Sequence, residues 1–272
     1  MLWSLVFIWV ITTQNVAVQT TDLCNTKNIN LTGKTASQSS DFFANGSPYI
    51  ANRAFDGDRF ICSHTELQTN PWWRIDLQGI YSISCISVYN RNGLNTNISG
   101  AQIYIGNSLE NNGTNNRLVY NITDFQENQL NIFRFSESVA GRYVTFFTPK
   151  RSHMILCEVN ITGTEIESPF KLININKTWE DSRSYCRANH RGLATILDEQ
   201  LQFFAAMEAE KANSPFAWIG LRFVCNKPVW FWADNCTIDY EVCDISGAME
   251  TKGQHKWFSK SDTEKFNFIC AL

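Results

Sequence analysis

The sequence has no excess of charge of one sign. Its 272 residues include 23 Lys and Arg against 26 Asp and Glu, so the formal net charge is −3. The basic residues are dispersed and form no patch of the kind that binds nucleic acid or other polyanions. The sequence also shows no apolar loop residues beside basic ones, the pattern with which lipid-headgroup binders enter a membrane surface. We therefore expect neither a nucleic-acid partner nor membrane insertion.

Beyond its N-terminus the chain has no apolar run long enough to cross a bilayer. The run at residues 2–11 is apolar but also too short to span, and polar residues follow it, as in a secretory signal peptide. We predict that residues 1–20 are removed by cleavage near Thr20. The mature protein is then expected to be secreted and extracellular.

Catalytic motifs are missing as well. None of the four histidines belongs to a His-Glu-x-x-His zinc motif, a nucleophile elbow or a Cys–His signature. These histidines are His64, His153, His190 and His255. We therefore predict that the protein is not an enzyme.

Cysteine, in contrast, is abundant. Nine cysteines and eight Asn-x-Ser/Thr sequons are typical of an oxidising, glycosylating secretory route. The odd count leaves at least one thiol free or paired between chains. Cys85 lies in a predicted strand and is either a buried free thiol or a partner for Cys24. The sequons are at Asn30, Asn45, Asn97, Asn112, Asn121, Asn160, Asn176 and Asn235.

The hydrophobic pattern predicts two domains. Without the signal peptide about 252 residues remain, enough for two cores. Short β runs dominate residues 21–163, with strands predicted at 82–89, 101–106, 131–136, 142–148 and 155–162. The segment from Gly163 to Pro169 marks the boundary, and residues 164–272 form the second domain. There Thr178 and Asp198 predict the starts of two helices, which are followed by strands.

His64 and Arg91 are the best candidates for ligand contacts. They flank the aromatic segment Pro71-Trp72-Trp73-Arg74-Ile75-Asp76-Leu77. A neutral sugar offers only hydroxyl groups, so a receptor needs a forked cationic donor and a ring nitrogen that make well-aligned hydrogen bonds. An arginine and a histidine supply both.

These residues resemble those of the F-type lectin, or fucolectin, domain, as found in fish lectins, over about residues 25–163. Further landmarks are the segment Ala54-Phe55-Asp56-Gly57, the opening at 33–40 and the close Cys157-Glu158-Val159. The resemblance implies an all-β jelly-roll sandwich that binds terminal L-fucose through His64 and Arg91. It also implies a disulfide between Cys62 and Cys157.

The resemblance is incomplete at the third sugar ligand. The family motif reads Arg-x-Asp, four further residues and a second Arg, whereas this chain continues from Arg91 as Asn92-Gly93-Leu94-Asn95-Thr96-Asn97-Ile98. Both the Asp and the second Arg are absent. Asn97 also begins a sequon, so a glycan attached there would stand at the rim of the pocket.

The family's structural calcium has candidate ligands in this chain. Asp56, Asp58 and Glu158 supply hard carboxylate oxygens, and three carboxylates brought together by one fold need a cation to offset their repulsion. The resemblance adds three backbone carbonyls, those of Arg53, Ile61 and Cys157. Calcium is the predicted cofactor.

The second half of the chain resembles the C-type lectin fold over about residues 168–272. Five segments carry this resemblance, namely Tyr185-Cys186, Leu193-Ala194-Thr195-Ile196, Trp218-Ile219-Gly220-Leu221, Trp230-Phe231-Trp232 and Phe266-Asn267-Phe268-Ile269-Cys270. That fold is α+β, and the resemblance implies a disulfide between Cys186 and Cys270.

The C-type lectin calcium motifs are lacking. The long loop is reduced to Ala233–Val242 without proline, and Trp257 is followed by Phe258-Ser259. Asp262 stands where the inner disulfide needs a cysteine, so Cys243 is expected to pair with Cys225 or Cys236. The aromatic residues at 218–232 are predicted to be core.

Two functions follow from these patterns. The first is a secreted, calcium-supported lectin that binds fucosylated glycans, acts in innate recognition and gains avidity as a homo-oligomer, since single sugar sites are weak. The alternative is a glycan-independent adhesion or interaction protein with degenerate sugar sites.

Overall fold

The computed structural model describes residue 24 and residues 27–225, 228–233 and 242–272. The predicted fold class is confirmed: an all-β sandwich is followed by an α+β domain with two helices. Three sequence predictions lie outside the described residues, namely the signal peptide, most of the loop from Ala233 to Val242 and the sequon at Asn235. Among the helices of the described part, none combines the length and the apolar character needed to span a membrane.

The described part of the first domain contains short strands and two very long ones. Two 3₁₀ helices, Ala51–Phe55 and Glu110–Gly113, lie between them. The strands are β1 Thr35–Gln38, β2 Phe43–Ala44, β3 Ser47–Pro48, β4 Ser63–His64, β5 Gln68–Thr69, β6 Trp72–Tyr89, β7 Gln102–Gly106, β8 Arg117–Asn121, β9 Leu130–Phe147, β10 Arg151–Ser152, β11 Ile155–Leu156 and β12 Glu158–Glu165.

The long strands β6 and β9 belong to both layers of the sandwich. Their antiparallel register shifts between Asp76 and Tyr81, where Gln78 has a φ of 55°. On one side of this irregularity the pair is flanked by β1 and β7, and on the other side by β12. Such a break bends a strand sharply, so two strands can supply the middle of both layers.

The core lies between these layers. Along β6 the alternation of side chains buries Trp73, Ile75 and Leu77 on one face, and from β9 Val144 and Phe146 are buried with them. Trp73 donates its indole N–H to Ala51 O at 2.9 Å. Each such apolar side chain contributes roughly 1.5–3 kcal/mol when it leaves water.

The strand predictions were right in position but wrong in extent. The strands predicted at 131–136 and 142–148 are one continuous strand, β9, and the strand predicted at 82–89 begins ten residues earlier at Trp72. Gly141 joins the two parts of β9, and it packs so closely on Gly106 that a Cβ there would lie 2.7 Å from a backbone nitrogen. A glycine between two apolar runs is typical of a turn, but Gly141 instead permits the close approach of β9 to β7.

The elements of the second domain are β13 Phe170–Lys177, α1 Trp179–Asn189, β14 Gly192–Leu193, α2 Glu199–Ala209, β15 Phe216–Val224, β16 Val229–Trp232, β17 Val242–Glu250, β18 Trp257–Ser261 and β19 Phe266–Ala271. In the described residues its strands form a seven-stranded sheet in the order β13-β19-β15-β17-β18, with β14 paired to β19 and β16 to β15. As predicted, Thr178 and Asp198 cap the two helices, because their side chains accept the N–H of Asp181 and Leu201.

Three disulfides have both cysteines within the described side chains, and each joins distant parts of the chain. Cys62 bonds to Cys157, and Cys186 on α1 bonds to Cys270 on β19, the two pairs that the resemblances imply. Of the alternatives for Cys85, the structure has the bond to Cys24. Cys225 is disulfide-bonded too. The question of which cysteine pairs with Cys243 lies outside the described side chains.

The aromatic residues at 218–232 do not all form core, so that prediction was partly wrong. Trp218 is fully buried, but Trp230 is 37% exposed and Trp232 is only partly buried. Strand β16 lies at an edge of the sheet, where it pairs only with β15 among the described strands. Phe231 and Trp232 still pack against the core clusters, so the side chains of this strand are covered only in part.

The two domains are in contact. Ile80, at the bend of β6, is buried in the hydrophobic cluster of the second domain, and Ile166 N–H donates to Ile80 O at 2.8 Å. Arg142 binds both carboxylate oxygens of Asp76, at 2.8 and 2.9 Å, and lies 3.7 Å from Glu210 on the second domain. The hydrogen bond to Asp76 raises the pKa of Arg142.

Candidate functional site

His64 lies on β4 in a firmly held position. Its backbone N–H donates to Tyr49 O at 3.1 Å, and its carbonyl accepts the N–H of Phe42 at 2.9 Å. The imidazole packs against the rings of Phe42, Tyr49 and His153, with centroid distances of 4.4, 6.0 and 4.9 Å. Three aromatic neighbours restrict the rotamers of His64, so little entropy remains to be lost when a ligand binds.

His153 determines which ring nitrogen of His64 carries the proton. Its Nδ1 lies 2.9 Å from Thr65 O and 3.3 Å from His64 Nε2. Because a carbonyl only accepts, the proton of His153 is on Nδ1, and His64 faces it with a lone pair. His64 then carries its own proton on Nδ1. Burial, and secondarily the charge of His153, lowers the pKa of His64 to about 4, so the ring is neutral at pH 7.

Arg91 is positioned by its buried neighbour. The Asn90 side chain donates to Thr96 O and Ile155 O, at 2.7 and 2.8 Å, and accepts the N–H of Cys157 at 2.9 Å. One fully buried amide thus ties the loop after β6 to β11 and to the Cys62–Cys157 disulfide. Arg91 is exposed, and within the described residues no hydrogen bond or ion pair engages it, so its guanidinium is available to a ligand.

The two predicted sugar ligands line one pocket. This cavity of about 340 Å³ is bounded by His64, Arg91, Leu94, Tyr49, Cys62 and Thr96. It therefore combines a neutral ring donor, a forked cation and apolar walls, a combination suited to a small polar ligand with C–H faces. The structure brings His64 and Arg91 together in this pocket, although 27 positions separate them.

Among the described residues that line the pocket, no second cation takes the place of the missing arginine. The motif positions for the Asp and the second Arg are occupied by Gly93 and Ile98, and Ile98 is buried in the core of the sandwich. Asn97 does not line the pocket; its side chain donates to Phe125 O at 3.1 Å and accepts from Ser99 N–H at 2.9 Å. An arginine at 98 would not fit this backbone without exposing that position.

Exposed apolar side chains stand beside basic residues, in contrast to the prediction that none would. Leu94 is 89% exposed three positions after Arg91, and Phe60 is 73% exposed next to Arg59. Both lie on loops, so their exposure follows from the tertiary arrangement, and the sequence pattern of a loop does not show it.

Several site residues were missed by sequence reasoning. Tyr49 and His153 contact His64 from segments that no motif connects to it, and the role of Asn90 was not predicted. The signal for Asn90 was its place directly after a long buried strand, where a polar residue has to satisfy backbone groups. No comparable signal existed for His153.

The predicted calcium ligands lie near one another. Glu158, at the start of β12, accepts the N–H of Gly57 at 3.1 Å, while one oxygen each of Asp56 and Asp58 accepts a nearby backbone N–H at 2.9 Å. Burial, together with the charges of Asp56 and Asp58, raises the pKa of Glu158, against the opposing effects of the Gly57 N–H and Arg59.

This donor chemistry fits a hard cation, because crowded carboxylates with part-buried oxygens gain from a positive charge. Arg53 lies in the adjacent 3₁₀ helix with its guanidinium 4.5 Å from the Tyr49 ring centre, Ile61 is exposed, and Cys157 is buried in its disulfide. In the described part of the chain, no three His, Cys, Asp or Glu side chains converge closely enough to hold a metal ion. Calcium binding stays a prediction.

Comparison with known proteins agrees with this architecture. The family described as "NedA-like, galactose-binding domain" matches residues 53–146, and the family described as "Lectin C-type domain" matches residues 175–272. The fold therefore defines a β-sandwich of the galactose-binding type joined to a C-type lectin domain.

The relatives that are similar to this chain include several fucolectins. Fucolectin-6 of Anguilla japonica is 34% identical over 56% of this chain and 84% of its own length. Fucolectin of Anguilla anguilla is 36% identical over 41% of this chain and 75% of its own length. A fucolectin from striped bass serum, Morone saxatilis, has a solved structure with 30% identity, 60% coverage of each chain and a TM-score of 0.48.

The chain belongs to the fucolectin family. Fucolectin-5 of Anguilla japonica is 41% identical over 41% of this chain, and the match spans 60% of that relative's length.

Proposed function

We propose that the protein is a lectin whose first domain binds terminal L-fucose through His64 and Arg91. The observation that carries this proposal is the shared pocket: a neutral, rigid imidazole and an arginine without a protein partner in the described residues line one cavity in a fucolectin domain. His64 Nδ1–H donates to a sugar oxygen, and the Arg91 guanidinium donates two parallel N–H groups to vicinal hydroxyls.

A single site of this kind is weak. The position of the second arginine is taken by buried Ile98, and the loss of one charge-assisted hydrogen bond costs about 1.5–3 kcal/mol, which is roughly ten- to hundredfold in affinity. The protein therefore acts on fucosylated surfaces as a homo-oligomer, since multivalency raises apparent affinity by roughly 10²–10⁴. The biological role is innate recognition of microbial or host surfaces by a secreted protein; its disulfides support that location.

Calcium is the proposed structural cofactor of this domain. Asp56, Asp58 and Glu158 hold it, together with backbone carbonyls of Arg53, Ile61 and Cys157. When bound, the ion offsets the repulsion among the three carboxylates. The pKa of Glu158, raised by burial and by its acidic neighbours, supports this assignment.

The test is binding of the secreted full-length protein to matched fucosylated and non-fucosylated glycans, with and without EDTA. We expect a fucose-dependent signal that His64→Ala and Arg91→Ala each abolish and that the control His190→Ala leaves unchanged. A folded protein with no fucose-dependent signal, or a signal that both pocket variants retain, would overturn the proposal.

A glycan-independent adhesion function is the second candidate. The observation that favours it is the exposure of Leu94, which lines the pocket, because exposed apolar groups of this kind are typical of interaction surfaces. If it is correct, Leu94→Ser abolishes cell-surface binding that free L-fucose does not compete, whereas His64→Ala has no effect on it.

A further inference from the structure

A second cleft lies on the C-type lectin domain, far along the chain from the fucose pocket. Its apolar part, about 430 Å³, is lined by Trp230, Trp232, Trp257, Phe258 and Leu221. Its polar part, about 650 Å³, shares Ile196, Leu197 and Trp257 with the first, so the two parts are continuous. The aromatic rings come mainly from β16 and β18, each of which pairs with a single neighbouring strand in the described part of the sheet.

Trp257 is held rigidly although 41% of its surface is exposed. Its indole N–H donates to Gln202 Oε1 at 2.9 Å, and Gln202 Nε2 donates to His255 O at 3.0 Å. Trp232 packs on it edge to face, with ring centres 5.4 Å apart. The polar edge of Trp257 is therefore satisfied within the protein, and the exposed part of its ring can contact a flat apolar partner.

A second exposed ring lies in the same cleft. Trp230 is 37% exposed and packs against Phe223 at 5.1 Å between ring centres. The polar part of the cleft ends in the exposed side chains of Glu199, Gln254 and Lys256. The cleft thus offers fixed indole faces beside a carboxylate, an amide and an ammonium group.

We propose that this cleft is a second, calcium-independent glycan site that binds a gluco-configured oligosaccharide. A pyranose with all-equatorial hydroxyls has two C–H faces and a polar rim. One residue of the oligosaccharide stacks on Trp257, and the rim of the next reaches Glu199, Gln254 and Lys256. The aromatic part of the cleft matches the C–H faces of such a ligand, and the polar part matches its hydroxyl rim. An entirely apolar protein partner would not require the polar part.

The proposed site uses no calcium. Its lining offers the sugar indole faces together with carboxylate, amide and ammonium groups, which contact the hydroxyls directly. The aromatic faces take over the role of orienting the sugar. The site is also independent of the fucose pocket, which belongs to the other domain.

The experiment uses the full-length protein in EDTA, titrated with cellotriose and with chitotriose and followed by tryptophan fluorescence and calorimetry. We expect saturable binding of at least one trisaccharide, weakened about tenfold or more by Trp257→Ala but less by Trp257→Phe, since the phenyl ring keeps a stacking face. Phe60→Ala, which removes an exposed ring of the first domain, serves as the matched control and should leave binding unchanged. Circular dichroism and the melting temperature establish that each variant is folded.

His64→Ala separates this proposal from the fucose proposal. Trisaccharide binding that persists in His64→Ala and is lost in Trp257→Ala supports the second site, whether or not fucose binds. Absence of trisaccharide binding by the folded protein overturns it, as does binding lost in His64→Ala and retained in Trp257→Ala. Concentration-dependent self-association that Trp257→Ala abolishes, without sugar binding, also overturns it and identifies a second copy as the occupant.

Discussion

At the scale of single residues, the protonation of His64 depends on its neighbours. An isolated histidine has a pKa near 6.5, whereas burial and His153 lower the pKa of His64 to about 4. Because the folded pKa is below the unfolded one, the contribution of His64 to stability is complete above about pH 6.5 and is lost as the pH falls through about 4. Sugar binding that needs the neutral ring is therefore also lost as the pH falls through the pKa of His64.

We therefore expect fucose binding to be constant from pH 7.5 to about 5 and to decline near pH 4. An NMR titration of the His64 ring, alongside binding measured on a fucosylated surface, checks this. His153→Phe removes the opposing charge and should raise the pKa of His64 while the ring stays buried. A midpoint near pH 6.5 in the unaltered protein would contradict the assignment.

Asp262, which stands where the C-type lectin pattern has a cysteine, forms a buried ion pair. Arg222 pairs with Asp262 and with Glu180, each at 3.0 Å, and its guanidinium lies 4.6 Å from the Trp179 ring centre. Arg222 and Asp262 are almost inaccessible, with 9% and 12% of their side-chain surfaces exposed. Removal of Arg222 therefore leaves Asp262 buried without its counter-charge.

Arg222→Met is expected to destabilise the protein by about 3–5 kcal/mol, because Asp262 then stays buried without a partner. The double variant Arg222→Met/Asp262→Leu should regain most of this loss, since it removes both charges. Urea unfolding of the two variants gives the comparison. Equal destabilisation by the single and double changes would show that apolar packing, not the charge pair, dominates this position.

At the scale of elements, the two helices owe their starts to local side chains. Asp198 Oδ1 accepts the N–H of Leu201 at 2.8 Å and places a negative charge at the N-terminus of α2. The helix contributes Phe204 and Ala205 to the core. An end that frays would loosen this packing.

Asp198→Ala should lower the free energy of unfolding by about 1 kcal/mol, because a backbone donor loses its acceptor. Asp198→Asn keeps the acceptor and should retain most of the stability. Chemical denaturation monitored by circular dichroism measures both. If Asp198→Asn were as unstable as Asp198→Ala, charge at the helix end would matter more than the cap.

At the scale of the whole molecule, the proposed calcium ion connects segments that are far apart in sequence. Residues 53–61 meet Cys157 and Glu158 beside a disulfide that spans 95 positions. A ligand that binds only the folded chain stabilises it by about 2.7 kcal/mol at one hundred times its dissociation constant. For a chain of this size that corresponds to a rise in Tm of roughly 5–10 °C.

We expect calcium to raise the Tm by this amount and EDTA to reverse the effect. Glu158→Gln should remove the calcium response, whereas Glu66→Gln, a change at an exposed carboxylate of the same domain, should preserve it. Differential scanning calorimetry gives all three values. A Tm that does not respond to calcium in the unaltered protein would eliminate the proposed ion.

The sequence alone determined the fold class of the two domains and the helix starts. These features depend on patterns that can be read locally: the periodicity of apolar residues, capping side chains and family motifs. The structure confirmed the fold class and the caps at Thr178 and Asp198.

Only the tertiary structure decided the rest. It joined two predicted strands into β9 across Gly141, placed His153 against His64, and left Trp230 and Trp257 uncovered at the open side of a sheet. Each of these outcomes depends on contacts between residues far apart in the chain. The packing of one element against another, which local sequence does not encode, sets the burial, the pKa and the exposure of such residues.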